Sequence, residues 1–206
     1  MHLEVLDDKG QEILRALSPF AERFYLAGGT ALALQIGHRR SDDFDLFCDQ
    51  RVERGVLDKV KKVMQGREIA LVRTNPDELT LFVDSKKLTF LAYPFPLLFP
   101  LVPSQSIPLM AVKDILATKA YTIGRRGSFK DYVDMYTGIR EGHASMEDVI
   151  DMAKQKFGGE FNGRLFLEQL VYLDDIEDAN ILMLNESISK EDVLRFFEER
   201  IREVRV

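Results

Sequence analysis

Residues 43–48 read Asp-Phe-Asp-Leu-Phe-Cys, and this short run restricts the chain more than any other. A strand sends alternate side chains to opposite faces, so Asp43 and Asp45 share one face while Phe44, Leu46 and Cys48 share the other. Side-by-side carboxylates repel and raise each other's pKa. On a strand that buries its other face, such a pair calls for a counter-charge, and a divalent cation is the usual one. Magnesium takes a few carboxylates and completes its shell with phosphate oxygens. Two such ions can clamp the attacking and leaving oxygens of a phosphoryl displacement. A strand end with solvated acids is the plainer alternative. Asp42 falls on the other face or in the loop and is not counted as a ligand. Cys48 reads as a core filler.

Just upstream, Phe24-Tyr-Leu-Ala runs into Gly28-Gly29-Thr30 and a short helical pattern to Gln35. Glycines let a backbone come close to a ligand. A helix N-terminus offers unpaired N–H groups and the positive end of a dipole. A triphosphate cradled by these amides, with the Thr30 hydroxyl added, fits that chemistry; a plain tight turn fits it too.

The rest of the first 100 residues alternates between helix and strand periods. Helical spacing covers 9–19 and 51–65. Strands are expected at 24–27, 43–48 and 69–72, and a hairpin at 79–83 and 88–93 turns at Asp84-Ser85-Lys86-Lys87. A stretch with Pro94, Pro96, Pro100, Pro103 and Pro108 follows and reads as a semi-extended connection. Beyond it the pattern is helical, at about 109–125, 129–140, 146–157, 163–174 and 190–204. Ser145-Met-Glu-Asp148 and Ser189-Lys-Glu-Asp192 look like capped helix starts.

Charge is uneven. The chain of 206 residues has a formal net charge of -6, yet residues 141–206 hold 16 acids against 8 bases. A global basic surface for coating nucleic acid is absent. A local one exists, with Lys113, Lys119, Arg125, Arg126 and Lys130 against Asp114 alone over 113–130; a solvated helix face would look the same. Lys119 has no acid three or four residues away, so its partner must come from elsewhere in the fold or from a ligand, unless its stem snorkels to solvent. Three scattered histidines and one cysteine give no zinc-ligand spacing and no internal disulfide. No apolar run approaches the ~20 residues of a membrane span, and the acidic N-terminus does not read as a signal peptide. The expectation is a cytoplasmic protein.

Phe24 to Phe47 as a block resembles the DNA polymerase beta-like nucleotidyltransferase superfamily, whose members carry an apolar strand, Gly-Gly or Gly-Ser, then an acid-apolar-acid strand. More narrowly, Leu26-Ala-Gly-Gly-Thr-Ala-Leu-Ala-Leu34, Gly37-His-Arg39, Ser41 and Asp43-Phe-Asp-Leu-Phe47 are similar to the AbiEii/AbiGii-type nucleotidyltransferases, the toxin class of type IV toxin–antitoxin systems. Phe90 to Leu97 and Asp114 to Asp134, with its Thr-Lys helix and Asp-x-x-Asp helix, are similar to that family's later segments. The likeness spans roughly residues 20–140.

The resemblance implies an α+β fold: a polymerase beta-like core of a small mixed sheet with helices over residues 1–100, then a helical C-terminal domain over 107–206. It implies NTP with Mg2+ or Mn2+ in the cleft between them. Carried over residue by residue, Gly28, Gly29 and Thr30 hold the triphosphate, and Asp43 and Asp45 bind the metal. Lys119 contacts phosphate, with Arg126 on the same basic wall, and Asp131 and Asp134 fill the last motif. Asp131 also fits a capping box opened by Ser128, and Asp134 could pair with Lys130 at i,i+4. The implied activity is transfer of an NMP from an NTP to an acceptor hydroxyl, with RNA, and tRNA in particular, as acceptor and a cognate antitoxin as partner. Two other readings stay open: a small-molecule, antibiotic-type nucleotidyltransferase, and a catalytically impaired nucleotide-binding relative. The last arises from one departure. The superfamily usually has a third acid on a later strand, and Thr89 occupies that position; the nearest acid, Asp84, lies in the turn.

Overall fold

The computed structural model describes residues 1–53, 55–177 and 180–204. The chain divides into two compact units, one of residues 1–95 with 100–111 and one of residues 96–99 with 112–206. The proline-studded stretch is therefore not a simple connection between them. Its 96–99 segment packs with the second unit, and its later part returns to the first, where Leu109 bridges Leu26 and Val102.

The first unit is built from α1 (Asp8–Ala16), β1 (Tyr25–Ala27), α2 (Gly28–Ile36), β2 (Phe44–Cys48), α3 (Gly55–Val63), β3 (Ile69–Thr74), β4 (Glu78–Val83) and β5 (Lys86–Ala92). The strands form one sheet in the order β1-β2-β5-β4-β3. Only β2 and β5 pair in parallel; the other neighbours are antiparallel. Strand alternation sorts the side chains. Phe44, Leu46, Cys48, Leu79, Leu81, Val83, Leu88 and Phe90 are buried on one face. Phe90 there meets Phe20 and Phe24 with ring centroids 5.2 and 5.1 Å away. Asp45 and Phe47 on the other face are only half-buried.

Helix α2 starts earlier than the Gly-Gly turn suggested. Gly28 and Gly29 form its first turn rather than a loop before it. Gly28 has φ +66, in the left-handed region where a side chain is strained. The turn between β4 and β5 uses Asp84 and Ser85 at positive φ.

In the second unit, α4 (Val112–Arg126) continues through Gly124 to Arg126. It packs against α5 (Phe129–Arg140), α6 (Met146–Phe157) and α7 (Gly163–Leu170), while α8 (Lys190–Glu203) lies on α5 and α7. Gly138 sits where α5 meets α4: a Cβ there would come 2.7 Å from Leu116. Ser145 and Ser189 cap α6 and α8 as read from the sequence. Helix α7 ends at Leu170, short of the expected 174. Among the described residues, no helix is long and apolar enough to cross a membrane.

Candidate nucleotidyl-transfer site

Asp45 belongs to β2, and Asp43 immediately precedes it. Asp43 is exposed and Asp45 half-buried, while Phe44 between them is fully buried, as the alternation required. Asp45 pairs with Ala27 on one side and with Thr89 on the other. Ala27 leads directly into Gly28, so the Asp45 carboxylate lies over the first turn of α2. A Cβ built on Gly28 would stand 2.4 Å from Asp45 Oδ2. The glycine is thus required twice, by its φ and by the carboxylate above it.

Thr30 is buried, and its hydroxyl is engaged within the chain. It donates to the Asp43 carbonyl and lies 2.7 Å from Ser41 Oγ. The threonine thereby ties the start of α2 to the loop that delivers Asp43. Nothing in the local sequence pattern marked Ser41 as its partner, although it falls within the phrase that carries the family likeness.

Thr89 stands level with Asp45 on the same face, where a third acid was sought, and its Oγ1 is buried with no hydrogen-bond partner. Asp84 does not fill the gap. Its carboxylate accepts from Arg67 at 2.7 Å and from the Glu68 amide at 3.1 Å, and the Arg67 hydrogen bond holds it below the usual carboxylate range.

A divalent ion fits the residues present. Asp45 and the exposed Asp43 are two residues apart, the Gly28-Gly29 helix start adjoins the Asp45 carboxylate, and the unpartnered Thr89 hydroxyl lies beside Asp45. Among the described residues, no group of three or more acids, histidines or cysteines could hold a metal.

The second unit holds a separate charged cluster. Lys119, almost fully buried, puts its Nζ 2.8 Å from Asp131 Oδ1 and 2.7 Å from Asp134 Oδ2. The snorkelling reading of Lys119 is overturned: its partners come from the next helix. Asp131 also accepts from the Ser128 amide and hydroxyl through Oδ2, each at 3.0 Å, so the capping reading holds alongside the ion pair. Burial works to raise the Asp131 carboxyl, but the neighbouring Lys119 ammonium, its hydrogen bond and the Ser128 amide together hold it below the usual range. Asp134 is completely buried. The Tyr132 hydroxyl, buried and close to Asp131, is pushed up to about 12. Arg126 closes α4, and its side chain lies outside the described residues.

A second buried pair escaped sequence reasoning. Lys156 Nζ lies 2.8 Å from Asp114 Oδ1 and donates to the Pro96 carbonyl at 2.7 Å. Asp114 in turn accepts from the Leu98 and Phe99 amides. This pair anchors the 96–99 segment to α4 and α6, and both of its side chains are fully buried.

The mixed five-stranded sheet followed by a helical unit is similar in fold to solved nucleotidyltransferases. A protein of H. pylori assigned as a nucleotidyltransferase superposes with a TM-score of 0.64 at 17% identity, covering 96% of this chain and 95% of its own. MenT4, the nucleotidyltransferase toxin Rv2826c from Mycobacterium tuberculosis H37Rv, gives 0.62 at 17% identity, covering 94% of this chain and 80% of its own. Residues 12–82 match the model of the nucleotidyl transferase AbiEii toxin family of type IV TA systems, which bears out the likeness read from Leu26 to Phe47. An uncharacterized protein of Aquifex aeolicus (strain VF5) is 29% identical over 184 residues, 87% of each chain.

Proposed function

We propose that this protein transfers a nucleoside monophosphate from a metal-bound NTP to an acceptor hydroxyl. The observation that carries this is the Asp45 carboxylate lying over Gly28, two residues after the exposed Asp43. In the reaction, the acceptor oxygen bonds to the α-phosphorus, the bond to the pyrophosphate oxygen breaks and releases pyrophosphate, and the hydroxyl proton passes to solvent water. The metal, Mg2+ or Mn2+, would supply charge neutralisation on the phosphates when bound. Asp43 and Asp45 would hold it. The amides of Gly28 and Gly29, at a helix start with unpaired N–H groups, would bind phosphate oxygens, and Thr30 would keep turn and loop in register. In the second unit, Lys119 would carry a phosphate contact, with Asp134 and Asp131 keeping it charged and fixed.

For the acceptor we propose RNA, tRNA in particular, with a toxin-like role, a cytoplasmic setting and an antitoxin partner. The basic residues Lys113, Arg125, Arg126 and Lys130, set in a chain whose last 66 positions are acidic, support confined rather than extensive RNA contact. The test is incubation with magnesium, each α-labelled NTP and total RNA. Label on RNA is the expected result; label on a small molecule instead would favour an antibiotic-type acceptor.

A second reading rests on Thr89. With no carboxylate beside Asp45 on β5, the protein would bind Mg-NTP but turn over slowly or not at all. Binding without transfer to any acceptor is its signature.

A further inference from the structure

We propose that Lys86 is a positioning residue for the metal-binding carboxylates, acting through Asp42; this rests on the reading of Asp43 and Asp45 given above. Asp42 belongs to the acidic run 42–45 yet is not a ligand on either the sequence or the structural argument. Its carboxylate forms an ion pair with Lys86. The same ammonium lies 2.6 Å from Asp7 Oδ2, while Asp7 Oδ1 caps α1 by accepting from the Gly10 amide at 2.8 Å.

The register explains what this does. Phe44 pairs with Leu88 in the parallel β2–β5 ladder. Continued two residues toward its start, that ladder brings Asp42 level with Lys86, on the face that carries Phe44 and Leu88. Asp43 and Asp45 occupy the opposite face. In a strand, a slip of one residue exchanges the faces of every side chain. An ion pair that fixes Asp42 on the core side therefore fixes Asp43 on the other side. It also engages the Asp42 carboxylate, which could otherwise compete for the cation. The Ser41 amide, donating to the Val5 carbonyl at 3.1 Å, ties the same loop to the segment that precedes α1.

Simple electrostatics and the clamp predict opposite signs. Removing a cation close to a metal site should by Coulomb's law tighten cation binding. Removing a clamp that orients the ligands should weaken it. The experiment is calorimetry of the magnesium complexes of non-hydrolysable ATP, GTP, CTP and UTP analogues, with melting temperature in parallel. Lys86→Met is expected to weaken binding roughly tenfold, a size typical of coupling between contacting residues. Asp42→Asn should weaken it similarly, the double variant should lose no more than either single one, and Lys86→Arg should restore it. Asp7→Asn, which breaks only the half of the clamp that holds α1, should lower the melting temperature and leave binding unchanged. Unchanged or tighter binding by Lys86→Met would overturn the proposal. So would an equal loss in Asp7→Asn, which would make Lys86 a residue of the fold alone. Should Lys86→Met fail to fold, Asp42→Asn, altered only in the loop, decides: binding like wild type overturns the clamp. A wild-type protein that binds none of the four complexes would remove the proposed function, and the clamp with it.

Discussion

Thr89 stands directly beside Asp45 in the parallel pairing of β2 and β5, and its hydroxyl is buried without a hydrogen-bond partner. Thr80 flanks it on the other side, and the Thr80 hydroxyl is used by Glu78 at 2.7 Å. A carboxylate at Thr89 would stand beside Asp45; a hydroxyl there can neither neutralise a cation nor take a proton at neutral pH.

Thr89→Asp is therefore expected to raise transfer within the ~10²–10⁴-fold range of a general base. Without metal it should lower the melting temperature, since a second carboxylate beside Asp45 adds like-charge repulsion. Added magnesium should return part of that loss. Single-turnover rates with labelled NTP and paired melting curves check both effects. A fully active wild type with an inactive Thr89→Asp would refute the argument.

Gly28→Ala tests the helix start. The new Cβ would need a φ of +66 and would meet Asp45 Oδ2 at 2.4 Å, a contact that only movement of β2 or of the carboxylate relieves. Residues forced into such backbone regions cost about 1–3 kcal/mol. The expected outcome is a lower melting temperature together with loss of Mg-NTP binding. Intact binding would mean that the carboxylate over Gly28 plays no part in the site.

Lys119→Met should be costly to the fold as well as to function. It leaves Asp131 and Asp134 facing each other in a buried place with no ammonium between them. Breaking a buried ion pair from one side typically costs roughly 3–5 kcal/mol. Chemical denaturation would measure this. The triple change Lys119→Met, Asp131→Asn, Asp134→Asn should recover much of the stability while remaining unable to transfer nucleotide, which separates the two roles. Recovery of transfer along with stability would take Lys119 out of the site.

Asp131 gives the pH dependence. Its folded carboxyl lies below its ordinary value, so the carboxylate form favours the folded state. That contribution is complete above the unfolded carboxyl value of about 4 and is lost as pH falls through the lower folded value. Stability of the wild type should thus decline on acidification below about pH 4 more steeply than that of Asp131→Asn. A carbon-13 NMR titration of Asp131 with its midpoint above the ordinary aspartate value would contradict the assignment.

Much of this was legible from periodicity. The period of two placed Phe44, Leu46 and Cys48 in the core and Asp45 on the opposite face, because one face of β2 is buried and the register admits no slip. Serine three residues before aspartate marked the starts of α6 and α8 because capping is local chemistry. The partners of Lys119 were not legible. Asp131 and Asp134 lie on another helix, and a non-local ion pair leaves no periodic trace. Lys86 with Asp42 and Asp7, and Lys156 with Asp114, were missed for the same reason. The sharing of the proline-rich stretch between two units was hidden too, since prolines mark where a chain stops pairing but not which neighbour it packs on.

Asp43 and Asp45 are proposed to bind a metal–NTP complex. The most direct measurement is calorimetric titration of magnesium with non-hydrolysable NTP analogues into wild type and into the Asp43→Asn, Asp45→Asn double variant. The account predicts that the wild type binds metal and nucleotide together, each weakly alone, and that the double variant keeps its melting temperature but loses the joint binding. A double variant that binds the magnesium–nucleotide complex as tightly as wild type would contradict it.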